Sequence, residues 1–376
     1  MVFASYNNII SPLGFTTNQN YSAVCQSKIA VKKTLLPFSK EPFCLAKIND
    51  DLIAQEFSTY GNAHQHTKLE QLSIISIQDV LTKSDINPQD ERTLVIYSTT
   101  KGNIDILEHA YKNIDHKRGY LHAFTHHLQS YFKFKHTPLV LSNACISGVL
   151  AIIIAQRFIK NGQYDNVLVC GGDIISEFTV SGFKSFNAMS SEPSKPFDAN
   201  RAGINLGEAV STILLTSNKT LATPYHTAIV GGASANDANH ISGPSRTGDG
   251  LYQCVQEVLH YHPENLGFIS AHGTATLFND EMESIAFDRA GLYAIPVNSI
   301  KGYYGHTLGA GGVLETILSL ESLKNQQLIK SEGYETKGVS GNINIIQTHQ
   351  PSIFSSFIKT ASGFGGCNAA ALFRKI

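Results

Sequence analysis

The stretch from Thr137 to Gly172 leaves this chain few ways to fold. Thr137-Pro-Leu-Val-Leu-Ser142 has the length and apolarity of a short strand, and residues 146–160 are apolar on nearly every face. A helix that is apolar all round must be buried on all sides. Asn161-Gly162 then supplies a helix stop. Asn166-Val-Leu-Val-Cys170 gives a second strand ending in Gly171-Gly172. Strand, buried helix and strand make a βαβ unit with a right-handed crossover, the grammar of an α/β fold.

The second half repeats that grammar. Residues 228–232 and 266–270 read as strands, 282–289 as a helix, and 295–298 as a strand. A glycine-rich loop then enters a helix at 313–323, and strands at 352–359 and 369–374 close the chain. The polar stretch 217–223 divides two halves, expected as 1–220 and 221–376. Residues 101–135 differ: they are polar, aromatic and rich in histidine (His109, His116, His122, His126, His127), with poor periodicity. They read as an excursion covering the core.

Composition narrows the class. With 376 residues, 42% hydrophobic and 16% charged, the chain can bury a large core and is not a disordered polymer. A net charge of -1 gives no overall field toward nucleic acid or membrane. The six cysteines are scattered without a CxxC pair, which fits neither a disulfide framework nor a zinc site. The N-terminus lacks the pattern of a signal peptide, and no apolar run could span a bilayer. The expectation is a reduced, cytoplasmic protein that needs no metal and no resident cofactor.

Three residues stand out chemically. Cys145 follows a strand and opens the buried helix, where the helix dipole favours a thiolate and its own N–H can serve an oxyanion. Most lone cysteines are small buried hydrophobes, and Cys170, inside an apolar strand, reads that way. His272 (in Ser270-Ala-His-Gly-Thr-Ala-Thr276) and His306 (in Lys301-Gly-Tyr-Tyr-Gly-His306) lie in glycine-rich loops after strands, where open α/β sheets place ligands. Cys, His and His could bind zinc, but a fourth ligand and a close ligand pair are missing, so catalysis is preferred. Gly363-Phe-Gly-Gly366 is either a plain hairpin turn or a gate beside the nucleophile.

Taken together, these segments resemble the β-ketoacyl-acyl-carrier-protein synthases, the elongating condensing enzymes of the thiolase superfamily. The resemblance runs from Ile10-Ser-Pro-Leu-Gly14 through Ala144-Cys-Ile-Ser-Gly148, Lys195-Pro-Phe-Asp-Ala-Asn-Arg-Ala-Gly203, Gly207-Glu208 and His272-Gly-Thr-Ala-Thr276 with Asp280 and Glu283. It continues through 301–312 with Glu315 to Gly363-Phe-Gly-Gly366. It implies a duplicated thiolase-like fold, five layers deep (αβαβα), and a dimer, either a homodimer or a heterodimer with a related ketosynthase-like subunit. It implies that Cys145 accepts the acyl chain and that His272 and His306 promote malonyl decarboxylation. By the same resemblance Lys301 is the supporting cation with Glu315 and Asp280 in the network, and Phe364 is the gate. Thr274 and Thr276 would hydrogen-bond a pantetheine arm. The implied reaction joins the acyl group to malonyl-acyl carrier protein, with both substrates carried on phosphopantetheine, in fatty acid or polyketide synthesis. An aryl-polyene-like system is one such setting.

The chain departs from the family pattern at Asn143, where Thr is usual, and at Thr360-Ala-Ser362, where Asn-Ser-Phe is usual. It is also shorter around 110–136 and 218–262. A degradative thiolase would need a second catalytic cysteine, for which Cys367 is a poor match. A chain-initiating synthase would carry Asn at His306. A non-catalytic, chain-length-factor-like subunit is the alternative of another class, and it typically lacks the reactive cysteine. A papain-like hydrolase would need neither the second histidine nor the Lys301 loop.

Overall fold

The computed structural model describes every residue except 109–110, 112–113 and 238–242, so His109 lies outside the described residues. Its main sheet has eleven strands. The first five are β1 (Phe3–Ile10), β2 (Thr93–Ser98), β3 (Leu139–Leu141), β4 (Asn166–Asp173) and β5 (Ala209–Thr216). The other six are β6 (Thr227–Asn236), β7 (Leu266–Ser270), β8 (Pro296–Asn298), β9 (Asn344–Ile345), β10 (Ser356–Gly363) and β11 (Cys367–Lys375). Their order is β9-β8-β7-β10-β11-β6-β1-β5-β4-β2-β3. The sheet thus divides by chain order, and among the described residues only Phe3↔Ala228 and Ala4↔Thr227 join the two half-sheets.

Two helices near the N-terminus, Thr17–Cys25 and Asp50–Phe57, precede those that build the core and the site: α1 (Lys68–Ser84), α2 (Leu121–Phe132), α3 (Ser147–Lys160), α4 (Glu177–Ser185), α5 (Asp249–Leu259), α6 (Leu277–Arg289), α7 (Lys301–Tyr304) and α8 (Gly311–Asn325). Helices α3 and α8 touch strands of both half-sheets, so they form a central layer. Helix α1 covers β1, β4 and β5 on one outer face, while α5, backed by α6, covers β6 and β11 on the other. The architecture is therefore αβαβα. The apolar run of α3 is needed because sheet lies on both sides of it. Every residue of α8 from Gly311 to Leu323 is buried for the same reason.

Glycines let the two central helices meet end to end. A Cβ on Gly148 would lie 2.8 Å from Val313 N, so the first turns of α3 and α8 pack backbone against backbone. That contact brings both helix starts, one from each half, to a single point.

One reading of the sequence needs correction. Residues 101–135 contain an ordinary amphipathic helix, α2, with Phe124, Leu128 and Phe132 buried at a spacing of four and Lys133 closing it at φ +56°. The polar residues between those anchors hid the period. Its His127 hydrogen-bonds His66 at 2.9 Å, away from Cys145.

Candidate active site

Cys145, His272 and His306 are brought together: their sulfur and ring nitrogens lie within 4.8 Å of one another, and all three are buried. They line a cavity of about 450 Å³ with Thr274, Thr276 and Phe364. Each of the three sits close to a residue held in the left-handed region without being glycine: Ala144 (φ +44°), Ala275 (+62°) and Leu308 (+52°). Such backbone is costly and persists where its surroundings enforce it.

On the nucleophile side the enforcement is local. The Ser147 hydroxyl accepts from Asn143 N at 2.8 Å and donates to Ala144 O at 2.6 Å, which folds the turn that lifts Cys145. Gly363 lies directly over it; a Cβ there would be 3.0 Å from Cys145 N. The Phe364 N–H lies near enough to the Cys145 sulfur to favour its charged form, so it and the Cys145 N–H lie on the same side of the cavity as the thiol. The Phe364 ring stacks on Phe183 at 5.6 Å between centroids and meets Phe186 edge-on at 5.4 Å. Phe186, Leu277 and Phe278 are exposed at the cavity mouth.

The cavity does not provide a ready thiolate. Burial, with Cys367 adding to it, pushes the Cys145 thiol up to about 12, against the lowering by Lys301, Lys101 and the Phe364 N–H. Desolvation penalises the charged form more than the surrounding cations repay.

The histidine side is built from buried charge. Lys301 Nζ donates to Glu315 Oε1 (2.6 Å), to His272 O (2.6 Å) and to His272 Nδ1 (3.2 Å). Three acceptors use all three N–H bonds of an ammonium. Because Nδ1 of His272 accepts, its proton is on Nε2. His306 is pinned likewise: Leu308 N donates to its Nδ1 at 3.2 Å, and its buried Nε2 has no hydrogen-bond partner within the protein. Both imidazoles are thus neutral Nε2–H donors. Burial first, then nearby cations, hold both well below the ordinary histidine range.

Helix α6 organises the His272 loop with carboxylates. Glu283 accepts from the N–H groups of His272 (2.8 Å) and Gly273 (2.6 Å), and Asp280 from those of Thr274 (2.8 Å) and Phe197 (2.7 Å). Burial raises both carboxyls, Glu283 to about 7. Thr274 and Thr276 hydrogen-bond each other at 2.9 Å on the cavity wall. The Lys195–Gly203 motif and the residues after it form a strap. Gly203 N reaches Ala275 O (2.9 Å), His306 N reaches Asn205 O (2.6 Å), and Gly207 N reaches His306 O (3.0 Å). One segment of the first half therefore clamps both histidine loops of the second.

Cys145, His272, His306, Thr274, Thr276 and Phe364 line the cavity, and Lys301, Glu315 and Asp280 stand in the hydrogen-bond network behind it. The sequence reading missed Lys359, Phe183, Phe186 and the strap's clamping role. No motif marks these side chains: Lys359 lies in a strand whose residues from Ser356 to Ser362 are all buried, and Phe183 and Phe186 lie in and just after α4. As for metals, Lys301 and Lys359 beneath the Cys145–His272–His306 set oppose a dication. The second gathering, His66, Glu70 and His127, has its carboxylate already taken by Arg118, Asn103 and Thr67 N–H.

The chain matches two family models, "Beta-ketoacyl synthase, N-terminal domain" over residues 54–220 and "Beta-ketoacyl synthase, C-terminal domain" over 226–335. A Schizosaccharomyces pombe protein named as a mitochondrial 3-oxoacyl-[acyl-carrier-protein] synthase is 27% identical, over 97% of each chain. The tetracenomycin polyketide synthase ketoacyl synthase alpha subunit of Streptomyces glaucescens is 26% identical, over 87% of this chain and 84% of its own. Among solved structures, the ketosynthase ApeO in complex with its chain length factor ApeC, from Xenorhabdus doucetiae, superposes with a TM-score of 0.87 at 23% identity. That match covers 100% of this chain and 98% of the other. Among the described residues no helix is long and apolar enough to cross a membrane.

Proposed function

The chain belongs to the β-ketoacyl synthase family, and from that premise we propose that it condenses an acyl group held on Cys145 with malonyl-acyl carrier protein. The observation that carries this reading is the pair of neutral Nε2–H imidazoles beside a buried thiol; Asp237, which also lines the cavity, has its carboxylate engaged by Gly250 N and the Asn368 amide.

The chemistry follows from those donors. Cys145 attacks the acyl thioester; the new C–S bond forms as the carrier thiol leaves, and the thiol proton ends on that leaving group. The exchange is therefore proton-neutral, which suits a thiol with a high pKa. The N–H groups of Cys145 and Phe364 hold the oxyanion. The malonyl thioester then loses carbon dioxide, and His272 and His306 stabilise the enolate oxygen in a dry site. Its carbon attacks the acyl-enzyme, the C–C bond forms, and the Cys145 sulfur leaves and takes up one proton. Lys301, Glu315 and Asp280 keep the donors aimed. Phe364 gates the entry, and Thr274 with Thr276 line the path of a pantetheine arm. No further cofactor enters these steps.

The substrates are carried on an acyl carrier protein in fatty acid or polyketide synthesis. The partner is a second copy or a related ketosynthase-like subunit, and the setting is cytoplasmic, in keeping with six free cysteines. The presence of Cys145 and both histidines favours a working enzyme over a non-catalytic subunit. The intact mass of the protein after incubation with acyl-carrier thioesters tests the reading. A gain of one acyl group, absent in Cys145→Ala, is expected. A folded protein that gains no mass with any donor would contradict it.

A further inference from the structure

Lys359 takes no part in those steps, yet its side chain is completely buried in β10. Its Nζ donates to Glu315 Oε2 at 2.5 Å, to Ser270 O at 3.0 Å and to Ala271 O at 3.3 Å. These are again three acceptors for the three N–H bonds of an ammonium. Lys301 and Lys359 thus divide one carboxylate between them, an oxygen each. Together they grip three consecutive carbonyls, those of Ser270, Ala271 and His272.

A buried ion pair is costly to keep, and Lys301 with Glu315 would already be neutral. Burial lowers the Lys359 ammonium from its ordinary range, with Glu315 acting against that and Lys301 with it; protonated at acidic pH, it gives the triad a net positive charge beneath His272. Around that histidine stand Lys301 from α7, bonded to its ring, with Glu315 from α8 and Lys359 from β10 behind it; Asp280 and Glu283 from α6 hold its loop's N–H groups, and Cys145 and His306 lie across the cavity. Burial acts first on His272, then Lys301, His306 and Lys359, each lowering it.

We propose that Lys359 is a positioning residue for decarboxylation: by occupying the second oxygen of Glu315, it leaves the Lys301 ammonium aimed at Nδ1 of His272. It also fixes the strand end from which His272 projects. Its charge keeps that histidine a neutral Nε2–H donor at acidic pH. This deepens the functional reading above and rests on it.

The test is carbon dioxide release from malonyl-acyl carrier protein, followed across pH with the whole enzyme. In Lys359→Met, kcat should fall about 10- to 100-fold, the range for partners that orient a functional histidine, with KM nearly unchanged. The acidic limb should move to higher pH, because His272 protonates more easily without the second cation. Lys359→Arg should return the limb toward its wild-type position. Lys359→Gln removes the charge and one donor while keeping a polar, shorter side chain with two N–H groups, so it gives the same readout if Lys359→Met does not fold. A folded Lys359→Gln enzyme with the wild-type limb and kcat would overturn the inference alone. A wild-type enzyme that releases no carbon dioxide would overturn the functional reading and this inference with it.

Discussion

The two sides of the cavity reach the same precision by different means. The Cys145 side is fixed by backbone: the Ala144 turn, the Ser147 hydroxyl, and glycines at 148 and 363 that admit neighbouring main chain. Burial closes over the thiol, which stays neutral in spite of Lys301 and Lys101 nearby. The histidine side is fixed by ions: Lys301, Lys359, Glu315, Glu283 and Asp280 are all buried and joined through hydrogen bonds to the two loops. A nucleophile that exchanges one thioester for another needs only position. A pair of donors that must stay neutral, yet meet a developing enolate, needs an electrostatic setting as well.

That contrast can be broken. The largest effect should come from Cys145→Ala, which removes the acyl-enzyme altogether; intact mass reads it directly. Next are His272→Ala and His306→Ala. Losing one donor to developing charge costs about 3 kcal/mol, or about 100-fold, in carbon dioxide release, while acyl transfer to Cys145 persists. If both substitutions abolished acylation equally, the two sides would not be separable.

A third prediction sharpens the backbone side. Gly148→Ala places a Cβ 2.8 Å from Val313 N, so denaturant unfolding should show a loss of about 1–3 kcal/mol from overpacking. An unchanged midpoint would mean that the α3–α8 contact is looser than it looks.

Two pH effects are smaller. Alkylation of Cys145 in the empty enzyme should keep accelerating well above pH 9, since the thiol is held near 12; a plateau near neutrality would show a preformed thiolate. Stability should also depend on acid. The folded pKa values of His272 and His306 lie below the unfolded value of about 6.5. The unfolded chain therefore binds protons first, and stability is full above that value and falls as pH drops below it. Denaturant midpoints between neutral and acidic pH measure this, and a flat profile would remove the buried neutral histidines.

Much of this was legible in the sequence because the pattern is strict where backbone does the work. The strand–Cys–helix run, the glycine-rich histidine loops and the closing strand pair carry their periods and turns openly; they marked an α/β fold in two halves and the reactive triad, while the αβαβα layering came from the family resemblance those motifs carry. What escaped depends on tertiary partners. Lys359 lies in no motif, and its buried charge is met by Glu315 from α8. The period of α2 is interrupted by polar residues that face outward. The thiol's neutrality follows from how completely Gly363, Phe364 and Cys367 close over it, which no local spacing records.

The most direct measurement is the product itself. Acyl-carrier thioester and malonyl-acyl carrier protein are mixed with the enzyme, and the carrier is weighed by mass spectrometry. The account predicts a β-ketoacyl carrier and one carbon dioxide per condensation, with product lost in Cys145→Ala and, separately, in His272→Ala. Product formed at the wild-type rate by either variant, or none from a wild-type enzyme that does acylate at Cys145, would contradict it.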